Sequence, residues 1–197
     1  DRHSPSAWKM TNAMPSWSWT GCEGQKASIE VYARAARVEL WLNGRIIGRK
    51  ALKNDCFAKF SVTYEPGKLE AVSYDARGCE LGRCNLTTAG QQTQITAGPE
   101  QSSVQAGHLC YIRLRYTDEK GITKPLARGN IKVEVDGGTL VGLGNACPYH
   151  ERSYLDCVAD TYYGEALAIV RAGEGNSLTL AADDGMHSTA VTVPVTR

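Results

Sequence analysis

The chain has 197 residues, enough for one large or two small domains, and carries 22 basic and 21 acidic residues with a formal net charge of +1. A balance this close to neutral gives no electrostatic reason to expect a nucleic acid or an anionic membrane as partner. No apolar run approaches the roughly 20 residues of a membrane span. The chain begins with Asp1 and without a signal-peptide pattern, so we expect a piece of a longer polypeptide.

The seven cysteines do not form a recognisable framework. They are scattered over the whole length, without a C-x-x-C pair, at positions 22, 56, 79, 84, 110, 147 and 157. Zinc ribbons and small disulfide scaffolds need tighter patterns, so we expect reduced thiols acting as small buried hydrophobes, and a cytoplasmic location. A Cys147–Cys157 bridge, with a secreted or periplasmic location, is the alternative. The four histidines lack metal-ligand spacing, so we predict no metal and no cofactor.

Residues 1–26 show little regular pattern and are interpreted as a lead-in to the first domain. Trp17 and Trp19 stand two positions apart, so their rings lie on one side if this segment is extended. Together with Trp41 they could stack on a sugar as a carbohydrate-binding surface. Alternatively, the segment packs over or beside an apolar patch formed by Trp41 and Ile46. The packed interpretation is favoured because rings of this size usually bury more surface than they display.

The most distinctive local pattern is a β-hairpin around Asn43-Gly44. This pair is typical of a two-residue type I′ turn, in which both central residues need positive φ. Counting outward from the turn pairs Trp41 with Ile46 and Leu40 with Ile47. Leu40 and Ile47 then face the core, whereas Trp41 and Ile46 form the apolar patch on the other side.

The rest of the chain alternates apolar and polar residues in short segments, which predicts an all-β fold. The first immunoglobulin-like sandwich is expected over 27–90, with strands at 27–34, 37–42, 45–52, 58–64, 68–76 and 79–88. A small, polar junction follows, and the pattern restarts in a second sandwich over 91–197. Its main strands are expected at 109–117, 131–135, 139–143, 165–171, 177–182 and 189–195. No segment longer than a turn carries a helical apolar repeat.

Short motifs occur in a consistent order over nearly the whole chain. The first half contains Pro15-Ser16-Trp17-Ser18-Trp19, Val38–Gly44 and Tyr64-Glu65-Pro66-Gly67. The second half contains Gly142-Leu143-Gly144-Asn145, Tyr163-Gly164 and Ala166–Arg171. Together these motifs resemble the two domains that follow the catalytic barrel in family 2 glycoside hydrolases of the bacterial β-galactosidase type.

The resemblance implies that the two catalytic glutamates lie on an upstream (β/α)₈ barrel, which nothing in this chain matches. No catalytic residue is therefore predicted. The positions of the acidic residues support the same conclusion, because a retaining glycosidase needs two carboxylates about 5 Å apart in a cleft. Those of this chain fall on polar strand faces or in turns and are interpreted as solvated charges: Glu30, Glu39, Glu134, Asp75, Asp118 and Glu119. Asp183-Asp184-Gly185 could touch a cation, but an acidic turn explains it equally well.

We therefore predict two consecutive immunoglobulin-like β-sandwich domains, the non-catalytic C-terminal part of a carbohydrate-metabolising glycoside hydrolase of the β-galactosidase type. The expected partner is the catalytic barrel of the same polypeptide, with oligomer contacts as a further role, and neither nucleic acid nor membrane is expected. One alternative is a carbohydrate-binding module that uses Trp17, Trp19 and Trp41. Another is a segment of an immunoglobulin-like surface adhesin, which the lack of internal repetition disfavours.

Overall fold

The computed structural model describes residues 11–53, 56–149 and 152–197. These residues form fifteen β-strands and no helix, so the predicted all-β class is confirmed. None of the described segments is a helix able to cross a lipid bilayer. The chain divides into two compact units, residues 1–88 and 89–197.

The first unit has two sheets. An antiparallel pair, β1-β4, packs with a four-stranded sheet in the order β3-β2-β5-β6. The strands are β1 (Lys26–Tyr32), β2 (Arg37–Leu42), β3 (Arg45–Ala51), β4 (Phe57–Thr63), β5 (Lys68–Tyr74) and β6 (Glu80–Thr87). Alternate residues of β2 point into the core between the sheets, where they meet Phe60 of β4 and Tyr64. The buried apolar residues of β2 are Val38, Leu40 and Leu42.

The predicted hairpin turn is confirmed, but the register beyond it differs from the prediction. Asn43 and Gly44 have φ values of 51° and 78°, as a type I′ turn requires. A β-bulge then shifts the pairing, so that Leu40 lies opposite Gly48 rather than opposite Ile47. The prediction was wrong here because counting from a turn assumes an uninterrupted ladder, and a bulge adds one unpaired residue.

The packing around Gly48 shows the structural effect of the β-bulge. A Cβ atom built on Gly48 would lie 2.6 Å from Cδ1 of Phe60. The shifted register therefore brings the one residue of β3 without a side chain against the Phe60 ring. The ring packs directly on the backbone of the opposite sheet.

The second unit is a sandwich of a five-stranded and a four-stranded sheet, ordered β12-β10-β14-β15-β8 and β11-β13-β9-β7. The strands are β7 (Gln94–Pro99), β8 (Val104–Gln105), β9 (Leu109–Thr117), β10 (Asn130–Asp136), β11 (Gly138–Gly144), β12 (Val158–Asp160), β13 (Glu165–Ala172), β14 (Ser177–Asp183) and β15 (Ser188–Thr196). The strand predicted at 109–117 is confirmed as β9, and its alternate residues Cys110, Ile112, Leu114 and Tyr116 are all buried in one core. The three-residue strand β12 was not predicted, because so short a segment carries no periodicity.

Candidate functional site

The three tryptophans considered as a sugar platform lie in different surroundings. Trp17 is only 3% exposed and packs edge-on to Tyr64, with ring centroids 4.8 Å apart. Its Nε1 donates to the carbonyl oxygen of Glu65 at 3.0 Å. Trp19 is half-buried at the margin of the same core, whereas Trp41 points to the opposite side of β2. The three rings therefore do not share one surface, and carbohydrate binding by this chain stays a prediction.

Contrary to the expectation, Trp17 and Trp19 in the described part of the lead-in segment, residues 11–26, do not pack over Trp41 and Ile46. This part packs instead on the core side, where Trp17 closes the open margin of the sandwich beside Leu69 and Tyr64. The hydroxyl of Thr88 donates to the carbonyl oxygen of Trp17 at 2.7 Å and fixes the backbone there. The core margin is the better site because it buries the whole indole and also offers its N–H an acceptor.

A cleft of about 690 Å³ lies in the first unit between the lead-in segment, β1 and β6. Its lining includes Trp19, Ile29 and Leu86. Glu30, another lining residue, accepts hydrogen bonds from the Thr11 hydroxyl at 2.6 Å and the Tyr32 hydroxyl at 2.9 Å. These two bonds lower the pKa of Glu30. The cleft can take up a ring or an apolar group, and its carboxylate is already engaged by neighbouring hydroxyls.

Glu39 was interpreted as a solvated charge, and this prediction was wrong. The residue is 7% exposed. Its Oε1 accepts a hydrogen bond from Arg49 Nε at 3.0 Å, and its Oε2 accepts one from the Tyr74 hydroxyl at 3.2 Å. Glu39 lies on β2, which has a partner strand on each side. Long side chains from both neighbours therefore cover it while keeping their own polar ends in water.

A polar network of the second unit joins Tyr116, Asp184 and His187. The Tyr116 hydroxyl donates to Asp184 Oδ2 at 2.6 Å, and His187 Nδ1 lies 3.2 Å from the same oxygen. Asp184 Oδ1 accepts the backbone N–H groups of Met186 and His187 at 2.8 and 2.7 Å. Burial opposes ionisation of Asp184, but these hydrogen bonds outweigh it and hold its pKa well below the usual range. Burial and the Asp184 carboxylate raise the pKa of Tyr116 well above its usual range.

This network resembles a catalytic constellation in composition only. The Tyr116 hydroxyl lies 2.1 Å from the position that a Cβ on Gly129 would occupy, and Tyr116 is 2% exposed. A substrate therefore has no path to the hydroxyl. Asp184 stabilises the β14–β15 turn and anchors it to β9. The turn that was considered for a cation is held by protein donors.

Asp118 is the second acidic residue for which the predicted solvation was wrong. It is 1% exposed, and its carboxylate accepts the backbone N–H groups of Gly90, Lys120 and Ile122 at 2.8 to 2.9 Å. Burial raises its pKa, but the backbone hydrogen bonds prevail and the pKa is lowered overall. A carboxylate at the start of a turn accepts nearby N–H groups in this way, so it becomes part of the fold rather than of the solvent.

Lys124 anchors the start of the second unit together with Asp118. Its Nζ donates to the carbonyl oxygens of Gly90, Gln91 and Gln92 at 2.9 to 3.0 Å. It also reaches the hydroxyl of Thr93 at 2.8 Å. An ammonium group surrounded by carbonyl oxygens occupies the kind of site that a cation would otherwise take. The segment leading into β7 is thus fixed by side chains from one loop.

Metal-ligand and thiol chemistry receives no support from the described residues. They contain no group of three or more His, Cys, Asp or Glu side chains placed to hold a metal ion. All seven cysteines are free, including Cys147 and Cys157. Only Cys110 is fully buried, which raises the pKa of its thiol, while Cys79, Cys84 and Cys157 are exposed. The expectation of mostly buried thiols was therefore wrong. His3 and His150 lie outside the described residues.

Two family models match the chain, one within each of its two units. Residues 24–82 match a domain of unknown function, DUF4982, and residues 94–192 match glycoside hydrolase family 2 C-terminal domain 5. The second match covers half of the chain. The chain therefore belongs to the family of C-terminal domains found in family 2 glycoside hydrolases.

Solved structures of family 2 glycosyl hydrolases contain a region similar to both units of this chain. A family 2 glycosyl hydrolase from Bacteroides cellulosilyticus is 29% identical, with a TM-score of 0.85 over 93% of this chain and 24% of its own length. A second member from Bacteroides cellulosilyticus DSM 14838 is 30% identical, with a TM-score of 0.84 over 91% of this chain and 26% of its own. A curated protein of Formosa agariphila, provisionally named a beta-glucuronidase, is 33% identical over 90 residues, 44% of this chain and 9% of the relative. The chain thus spans about a quarter of the solved relatives and less of the curated one.

Proposed function

We propose that this chain is a non-catalytic accessory portion of a family 2 glycoside hydrolase, which supports the catalytic barrel or its oligomer. One observation carries the proposal: the buried carboxylates Glu39, Asp118 and Asp184 are all engaged by protein donors. A glycosidase needs two carboxylates directed at the same sugar in a cleft. Here the buried acids stabilise strands and turns, as expected of a supporting module.

The finer assignment is that the enzyme acts on β-galactosides. The order of the sequence motifs supports this choice, whereas the name of the Formosa agariphila relative points to β-glucuronides. Sugar specificity follows from the residues that contact the sugar in the catalytic portion. An assay with both substrates is therefore needed.

Two measurements test the accessory role. The purified chain should hydrolyse 4-nitrophenyl β-galactoside and 4-nitrophenyl β-glucuronide only at the background rate. Deleting the matching quarter from the Bacteroides cellulosilyticus enzyme should lower its inactivation temperature, and joining this chain in its place should restore part of the loss. Turnover by the isolated chain that disappears on replacing one Glu or Asp would refute the proposal.

Carbohydrate binding is the second candidate, and the cleft beside Trp19 favours it. A half-buried indole at the edge of a cleft of this volume can stack on the apolar face of a pyranose ring. Binding would then shift tryptophan fluorescence saturably at millimolar oligosaccharide, and Trp19→Ala would abolish the shift while Trp41→Ala preserved it. Under the accessory role alone, neither galactose nor oligosaccharide changes the fluorescence.

A further inference from the structure

Two inner strands of the second sandwich, β13 and β10, differ in the residues at the middle of their outward sides. On β13, the inward residues Ala166, Ala168 and Val170 are buried, so Leu167 and Ile169 point outward, where they are half-buried. On the opposite sheet the outward positions of β10 are charged, and Lys132 pairs with Glu134 at 2.8 Å. The middle of β13 is therefore apolar on both sides, a pattern that is typical of a sheet covered on both faces. The β13 face therefore has the composition of a contact surface.

The β13 face also carries a cation without a partner. In the strand register, Arg115 of β9 lies between Thr96 of β7 and Glu165 of β13. Within the described parts of the chain its guanidinium makes no hydrogen bond or ion pair, and its Nε atom is buried without an acceptor. A guanidinium nitrogen held away from water without an acceptor costs free energy, although Arg115 as a whole is half-buried.

The neighbouring charges leave Arg115 uncompensated. Arg113 Nη2 lies 3.0 Å from Glu100 Oε1, and Arg113 Nη1 lies 3.9 Å from Glu165 Oε2. Arg113 therefore pairs with both glutamates of this face. Arg171 donates to the carbonyl oxygen of Gly107 at 2.9 Å. A Cβ on Gly98 would lie 3.9 Å from Arg115 Nη2, so the guanidinium extends across β7 where that strand has no side chain. The face thus holds one positive charge in excess, on an open surface.

We propose that this face, defined by Arg115, Leu167, Ile169 and Tyr111, which lies opposite Ile169 in the strand register, docks onto the catalytic portion of a family 2 glycoside hydrolase. A carboxylate of that portion pairs with Arg115. The inference rests on the proposed accessory function and adds the surface and the chemistry of the contact. Charge complementarity selects the occupant: an excess cation among apolar side chains needs an anion on an apolar surface. A second copy of this chain would bring the same excess positive charge, and a neutral glycan would bring no anion.

The test uses the chimera in which this chain replaces the matching quarter of the Bacteroides cellulosilyticus enzyme. Hydroxyl-radical oxidation of Tyr111 and Leu167 is compared between the chimera and the isolated chain. Both residues should be protected in the chimera. Arg115→Gln should shift the docked–undocked equilibrium about 30-fold toward the undocked form, because losing one partner of a buried charge pair costs at least about 2 kcal/mol. Oxidation should then rise toward the rates of the isolated chain.

Lys132→Gln on the opposite face is the matched control, because it removes one cation without touching the proposed surface. It should leave the protection of Tyr111 and Leu167 unchanged. In the isolated chain, Arg115→Gln should leave the melting midpoint unchanged or raise it, since the guanidinium has no partner there. A lower midpoint would show that Arg115 is paired within the chain and would overturn the inference.

The remaining outcomes separate the two proposals. A chimera that is stabilised but leaves Tyr111 and Leu167 as reactive as in the isolated chain overturns this surface and leaves the accessory role intact. A chimera no more stable than the truncated enzyme overturns the accessory role, and the inference with it. Dimerisation of the isolated chain in sedimentation, abolished by Arg115→Gln, identifies a second copy as the occupant and overturns the one proposed.

Discussion

Replacing Asp184 with asparagine should destabilise the second unit by about 2–4 kcal/mol. The carboxylate is 9% exposed and accepts four hydrogen bonds, from Tyr116, Met186 and two groups of His187. A hydrogen bond to a charged group contributes about 1.5–3 kcal/mol, roughly twice as much as one to a neutral group. Asparagine keeps one carbonyl acceptor for the two backbone N–H groups but presents its amide hydrogens toward Tyr116. The loss therefore corresponds to one charge-assisted bond and the weakening of the others.

The lowered pKa of Asp184 also predicts the direction in which the stability difference changes with pH. Because the folded-state pKa of Asp184 is lowered, its contribution is fully present above the unfolded-state pKa of about 3.9 and is lost as the pH falls further. The difference between the wild type and Asp184→Asn should be constant from about pH 5 to 8 and should shrink below about pH 4. Urea unfolding by circular dichroism, with hydrogen exchange to localise the change to β9, β14 and β15, measures it.

Asp183 provides the control, since it is exposed and, among the described residues, its carboxylate accepts a single hydrogen bond, from the Gly185 N–H at 2.8 Å. Asp183→Asn should change stability by less than about 0.5 kcal/mol. Equal effects of the two substitutions at neutral pH would refute the argument that burial makes the Asp184 network strong. So would a difference that grows as the pH falls.

Three further substitutions test the packing. Leu40→Ala should cost roughly 2–5 kcal/mol, the usual range for a buried leucine, and Gly44→Val should also destabilise because a β-branched residue resists the φ of 78°. Urea unfolding followed by tryptophan fluorescence reports both, because all four tryptophans precede residue 89, and an unchanged midpoint for both would contradict the hairpin assignment. Lys124→Met should speed hydrogen exchange at residues 90–93, through loss of hydrogen bonds from a charged donor worth about 1.5–3 kcal/mol each. Lys120→Met in the neighbouring turn should not, and equal acceleration by both would argue against the Lys124 contacts.

Periodicity predicted most strands of this chain because the alternation of apolar residues is set by which side of a sheet faces the core. The face of β9 carrying Cys110, Ile112, Leu114 and Tyr116 follows directly from that rule. The register of β3 does not, since a bulge at Ile47 is selected by the fit between Gly48 and a ring on another strand. Contacts between residues distant in sequence leave no mark in the local pattern.

The polar residues were harder to interpret for the same reason. The residues next to Glu39 and Asp118 in the sequence are those of a typical surface charge. Both side chains are nevertheless buried, because the fold places other strands and turns against them. The Tyr116–Asp184 bond joins residues 68 positions apart. One signal was present: an aspartate two residues before a backbone N–H in a glycine turn is a common acceptor, and Asp184 stands before Gly185 and Met186.

The contact between Gly48 and Phe60 also constrains how this domain can change over time. Gly48 has ordinary backbone angles, so only the ring, 2.6 Å from where its Cβ would be, opposes an alanine there. A smaller residue at position 60 removes that opposition but leaves a cavity while glycine remains. Each substitution alone is therefore unfavourable. When both are made, the larger side chain at position 48 fills the space left by the smaller one at position 60, so their effects on stability are not additive. We expect homologues to vary these positions jointly, with a larger residue at 48 accompanying a smaller one at 60.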